Sequence, residues 1–150
     1  MSITTLAAAK KHLRVIDADE DDLIQTHIDA AEMAAAQWLG ANLYADAGAL
    51  STAVAGVPAA LTAATTALDA AVTAAQALAT EAERDMALQA AEAAYNKALT
   101  SARMTHAGVV INGLITAAVL LIVGALYEDR EAADIPQGAR NLLQPFKVYG

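Results

Sequence analysis

The stretch GVVINGLITAAVLLIVGALY, residues 108–127, carries no charged side chain, and only Asn112 and Thr116 within it are clearly polar. Glu128, Asp129, Arg130 and Glu131 follow it at once. Whether this segment crosses a membrane or lies buried inside protein decides the fold. Its length meets the roughly 20 residues that a spanning helix needs. Its Val, Ile and Leu side chains sum to about −3 to −6 kcal/mol on an insertion scale, before Asn112 and the glycines are counted against them. The setting opposes insertion, because neither flank has the Lys and Arg excess that orients a span and no aromatic anchor stands at the N-terminal edge. Gly113, Ala117 and Gly124 share one helical face, where small side chains let a second helix approach closely. A buried helix is therefore the expectation. A helix apolar all round needs cover on every side, and in a chain of 150 residues part of that cover is expected from another copy of the protein.

Upstream of this segment, 19 of the 44 residues from 59 to 102 are alanine, with no glycine or proline among them. Alanine loses no side-chain entropy on entering a helix, so the run is helical by propensity. Leu61, Ala64, Leu68, Ala71, Val72, Ala75 and Leu78 form one stripe, and Leu88, Ala91, Tyr95, Leu99 and Ala102 form a second that is out of phase with the first. Between them, TEAE at 80–83 matches the capping box, in which the Thr80 hydroxyl accepts from the Glu83 amide and the Glu83 carboxylate accepts from the Thr80 amide. Two antiparallel helices turning near residue 80 are expected, and one unbroken helix of roughly 70 Å is the competitor. Residues 40–58, with three glycines and a proline, read as a loop with at most a short helical turn.

Nearer the N-terminus, TTLAAAKKHLRV reads as a short helix capped by Thr4 or Thr5. LIQTHIDAAEMAAAQWLG is amphipathic, with Ile24, Ile28, Ala31, Ala35, Trp38 and Leu39 on its apolar face and Gly40 as its stop. DADEDD, residues 17–22, invites a calcium reading through Asp17, Asp19 and Asp21. The match then fails, since Asp22 stands where the loop needs glycine and Ile28 where it needs a bidentate glutamate. Acidic residues that cap a helix start explain the cluster instead. After Asp134, Pro136 opens a short helix carrying Leu142 and Leu143, Pro145 ends it, and FKVYG reads as extended.

A net charge of −8 argues against a protein that holds nucleic acid through its overall field, and Lys10, Lys11 and Arg14 are the single local basic cluster. With no cysteine there is neither a disulfide framework nor a thiolate site. His12, His27 and His106 have no metal-ligand spacing, and neither a phosphate loop nor GxSxG is present. Glu128 and Glu131, three apart, read as a solvated helix end. No catalytic residue, metal or cofactor is expected, so the chain reads as a non-enzymatic protein. The N-terminus shows no basic, apolar and small-residue order of an export signal.

TTLAAAKKHLRVIDADEDDLIQTHIDAAE at 4–32 and AAVLLIVGALYEDREAADIP at 117–136 together resemble the head-to-tail connector family of tailed phages. Leu6, His12, Leu13, Arg14, Asp19, Asp22, Leu23 and Ile24 carry the first block. Leu126, Tyr127, Glu128, Asp129, Arg130 and Glu131 match a LYENRE-like end, with Asp129 in place of asparagine, and Pro136, Leu142, Leu143 and Pro145 follow. The resemblance implies an all-α subunit of one domain, with a core at 4–40 and 106–134, an alanine-rich helical insertion at 59–104 and a partner-binding tail at 135–150. It implies a ring adaptor, typically of twelve copies, that sits between the portal and a tail-completion protein in the virion after assembly in the host cytoplasm. DNA would pass through its channel without sequence-specific binding, and no membrane would be involved. The implied portal contacts are Leu142, Leu143, Pro145, Phe146 and Tyr149, and removal of residues 141–150 would abolish docking while sparing the fold. Trp38, Gly113, Ala117, Gly124, Tyr127, Glu128 and Arg130 are the expected core and subunit-interface positions. The alternatives are a lysis-type membrane protein with one span at 108–127, and a helical tail-assembly chaperone.

Overall fold

The computed structural model describes residues 3–129 and 134–148, and among them the chain is all-α apart from one two-residue strand pairing. Helix α1 is Leu6–Leu13, α2 Asp21–Leu39, α3 Ala47–Gln76, α4 Glu81–His106, α5 Gly113–Glu128 and α6 Gln137–Leu143, followed by a 3₁₀ turn at Gln144–Phe146. Strands β1, Leu43–Tyr44, and β2, Val109–Val110, pair in parallel. The chain forms two compact units, one from residues 1–50 and 107–150 and the other from 51–106.

The first unit is built around α5. Ile115, Ala118, Val119, Ile122 and Val123 are buried at spacings of three and four. They meet Ile24, Ile28, Ala31, Ala35 and Leu39 of α2, Ala9 of α1, and Ala139 and Leu143 of α6 in one core. The uncharged stretch is thus not a single helix. Val109 and Val110 lie in the strand, and α5 begins only at Gly113, leaving 16 residues, roughly 24 Å against a hydrocarbon thickness of about 30 Å. Asn112 sets that start, because its Oδ1 accepts from the amides of Leu114 and Ile115 at 3.0 and 3.1 Å. Asn112→Ala is expected to lower subunit stability by about 1 kcal/mol in urea titrations, with Asn112→Asp close to wild type.

Charged groups tie α1 to α2 at both ends. Thr5 caps α1 through the Ala8 amide, and Arg14 closes it in the left-handed region at φ 59°. The Glu32 carboxylate accepts from the amides of Ile3 and Thr4, while Lys10 pairs with Asp21. Asp21 and Asp22 stand in the first turn of α2, where its dipole favours them, but the expectation of a side-chain cap from DADEDD is corrected, since Glu20 occupies the cap position without such a bond. Its carboxylate instead accepts from the Tyr127 hydroxyl at 2.5 Å. That hydrogen bond, then desolvation, then the neighbouring negative charge, raise the Tyr127 pKa above the ordinary 10.0. The cluster therefore links helices rather than capping one.

The second unit is an antiparallel helical pair. Ala64, Leu68 and Ala71 of α3 line one cavity with Ala91, Ala94 and Tyr95 of α4, and Gly56, Val57 and Ala60 line another with Ala98, Ser101 and Ala102. Rising numbers on one helix meet falling numbers on the other. The turn needs no glycine. Thr80 and Glu83 exchange hydrogen bonds at 3.1 and 3.2 Å, and Arg84 Nε donates to the Leu78 carbonyl of the turn at 2.8 Å. The same Thr80 contacts hold the Glu83 pKa below the ordinary 4.5.

The loop expected at 40–58 holds to residue 46 and is overturned from Ala47 onward. Helix α3 starts at Ala47, with the Asp46 carboxylate accepting from the Ala49 amide at 2.8 Å, and it runs through Pro58 without a break. Proline costs about 3 kcal/mol inside a helix, but the alanines around it and the burial of Val57 at 5 % exposure favour continuation.

Candidate functional site

The C-terminal segment is seated on the end of α2 rather than hanging free. Gly40 stops α2 at φ +70°, and its N–H bonds to the carbonyls of Ala36 and Gln37. Beside that stop the chain returns in extended form, and the Val148 amide donates to the Leu39 carbonyl at 2.9 Å. A Cβ on Gly40 would lie 3.3 Å from the Val148 carbonyl oxygen, so both the dihedral and the close passage favour glycine here. Lys147 Nζ stands 4.3 Å from the centroid of the half-buried Trp38 ring, within reach of its π face.

Within this segment the five expected portal contacts divide. Leu143 is fully buried in the subunit's own core, Leu142 and Phe146 are half-buried against it, Pro145 is exposed, and Tyr149 lies outside the described residues. The expectation that residues 141–150 can be removed without harm to the fold is therefore corrected, because Leu143 packs with α2 and α5.

The other expected interface positions also separate. Gly113 has open space where a side chain would start, and Ala117 is exposed, whereas the His12 ring covers Gly124, with Nε2 3.4 Å from a Cβ built there. Tyr127 is held by Glu20 and packs on the core. Glu128 is exposed, and Arg130 lies outside the described residues. Leu114 and Leu121 stay 48 % and 38 % exposed, so α5 keeps an uncovered apolar edge next to Gly113 and Ala117.

Sequence reasoning missed a second surface. Between α2 and β1 lies an open groove of about 400 Å³, lined by Ile3, Asp29, Glu32, Met33, Leu43 and Tyr44 among others. Met33 is 64 % exposed there, a signal available in its position opposite the buried stripe of α2. Ile16 is 91 % exposed in the turn after α1. Among the described residues, no group of three or more His, Asp or Glu side chains is placed to hold a metal ion.

A family model described as phage gp6-like head-tail connector protein matches residues 3–144. No curated protein and no solved structure matches the chain.

Proposed function

The chain belongs to the phage gp6-like head-tail connector family, which makes it a structural connector of the phage virion, and on that premise we propose that it works as a closed ring adaptor beneath the portal. Twelve copies are the arrangement we infer, each prolonging the DNA channel and offering its far side to a tail-completion protein. The observation that carries this reading is the apolar surface left over by one subunit. Leu114 and Leu121 remain exposed on α5 in an otherwise packed core, and the 30-residue α3 has a mean hydropathy of 1.4 over its most apolar window with 6 % of that window buried. Apolar surface left exposed on a virion protein marks contact with other protein, and like subunits repeating one heterologous contact form a ring when the rotation between them closes. The net charge of −8 suits a conduit that passes DNA without holding it. No step in this role calls on a catalytic group.

Sedimentation and electron microscopy of the pure chain, alone and with its portal, test the proposal. Annular particles are expected. A monomer at every concentration would remove it. The membrane alternative expected at 108–127 has only the 16-residue α5 to offer, and a different span, α3, is the helix long and apolar enough to cross a bilayer by length and composition. Against it stand the charge of Asp69 within that helix and the packing of Ala64, Leu68 and Ala71 against Ala91 and Tyr95 of α4. Recovery only in detergent would favour that reading.

For the portal contact we propose the outer edge of the C-terminal segment, with Pro145, Phe146, Tyr149 and Leu142 facing the partner and Leu143 anchoring them from within. Support comes from the exposure of Pro145 and the partial exposure of Leu142 and Phe146. Pro145→Glu combined with Tyr149→Ala is expected to reduce capture on immobilised portal about tenfold or more, since a charge set into an apolar contact is left unpaired. Its thermal midpoint should match the wild type, and unchanged capture would count against this assignment.

A further inference from the structure

The ring reading leaves open which faces of neighbouring subunits meet. We propose that the groove between α2 and β1 receives the turn at residues 11–16 of a second copy, with Ile16 entering beside Met33 and Tyr44 while Lys11 and Arg14 face Asp29 and Glu32. This inference rests on the ring reading and adds the surfaces to it.

Charge is the first argument. Among the described residues, α2 presents Asp22, Asp29 and Glu32 with no cation paired to any of them, and the end of α1 presents Lys11 and Arg14 with no paired carboxylate. Lys10, their neighbour, already has Asp21. Asp29 is held by Gln25, and Glu32 by two backbone amides, so both acids are positioned without being neutralised. Unpaired acids and unpaired bases that one subunit holds apart are complementary between copies. Asp17 and Asp19 follow Ile16, which puts the positive part of the turn on its α1 side and orients the contact.

Shape is the second argument. Ile16 has the largest exposure among the large apolar side chains of the described residues, 91 %, and Met33 on the groove wall has 64 %. A single subunit cannot join them. Lys10 with Asp21 sets the end of α1 beside the start of α2, while Glu32 with Ile3 and Thr4 sets its start beside the later half of α2. Asp21 and Glu32 are separated by about 16 Å of helix at 1.5 Å per residue. Donor turn and acceptor groove thus lie at different ends of the α1 and α2 pair, as a head-to-tail contact requires, and repeating it generates a ring or a helical array.

The test uses the full chain carrying Ile16→Asp or Met33→Asp, both at exposed positions, with circular dichroism to verify folding. Each variant alone is expected to remain monomeric at concentrations where the wild type assembles. Mixed together they retain one intact contact between them, and a dimer that grows no further is expected by sedimentation velocity. Arg14→Asp and Asp29→Arg provide a second, independent pair. Each should weaken assembly about tenfold or more through like-charge contact, and both in one chain should restore most of it. If all four variants assemble as the wild type does, this assignment of faces is wrong and the ring stands. If the wild type never assembles, the ring reading falls and takes the assignment with it.

Discussion

Replacing Val119 with aspartate is expected to leave no cooperatively folded subunit at neutral pH. Val119 is fully buried at the centre of the α5 face that meets α2, with Ile115, Ile122 and Val123 around it. No basic side chain belongs to that core. A carboxylate placed there loses its hydration without gaining a partner, a cost of several kcal/mol that is comparable with the whole stability of a domain this size, about 5–15 kcal/mol. Burial would push the pKa of the new carboxyl above its unfolded value, so the penalty is fully present above the raised folded value and shrinks as the pH falls towards the unfolded one. Urea titration followed by circular dichroism, at pH 7 and again near pH 4.5, measures both parts. Leu114→Asp, on the exposed edge of the same helix, is expected to cost less than about 1 kcal/mol. In a lipid-embedded helix both substitutions would be severe, so the contrast between them also discriminates against the membrane reading. A Val119→Asp chain as stable as the wild type would mean that α5 does not pack as described.

The second large effect is expected from Leu143→Ala, a loss of about 3 kcal/mol. Leu143 has no exposed surface and joins α6 to the core that α5 and α2 share. Truncation removes the transfer free energy of its side chain and leaves a cavity that the neighbouring Ala139 cannot fill. Pro145→Ala, at an exposed position, should change the midpoint little. The pair separates folding from docking. A portal-binding defect in Leu143→Ala that tracks its loss of stability reflects the core, whereas a defect in the Pro145 variant at unchanged stability reflects the surface. Equal midpoints for Leu143→Ala and wild type would show that α6 lies outside the core.

Features written in local code were legible. The period of Ile24, Ile28, Ala31 and Ala35 placed a buried face on α2, and Gly40 marked its end because the left-handed stop strongly favours glycine. The Thr80 and Glu83 pair announced the start of α4, since both halves of a capping box lie within four residues. Residues 47–57 were misread for the complementary reason. Gly48, Gly56 and Pro58 are poor helix residues one at a time, and the Asp46 cap that starts α3 was not recognised among them. Part of the candidate site was legible as well, in that Leu142 and Leu143 stood out as apolar residues on a polar tail. Their sequence spacing carries no information on which of the two turns inward.

By itself the sequence determined that this chain is helical, that its uncharged stretch seeks cover, and that two blocks of it belong to a connector. These follow from propensity, from hydrophobic periodicity and from motif order, which are properties of neighbours along the chain. Tertiary structure alone decided that Val109 and Val110 pair as a strand, that Leu143 is core, that Glu20 holds Tyr127 instead of capping α2, and that Glu32 holds the backbone ahead of α1. The hydrogen bonds of Glu32 and Glu20 join residues 28 to 107 apart. Burial and long-range hydrogen bonding are settled by which surfaces meet, and no local pattern specifies that.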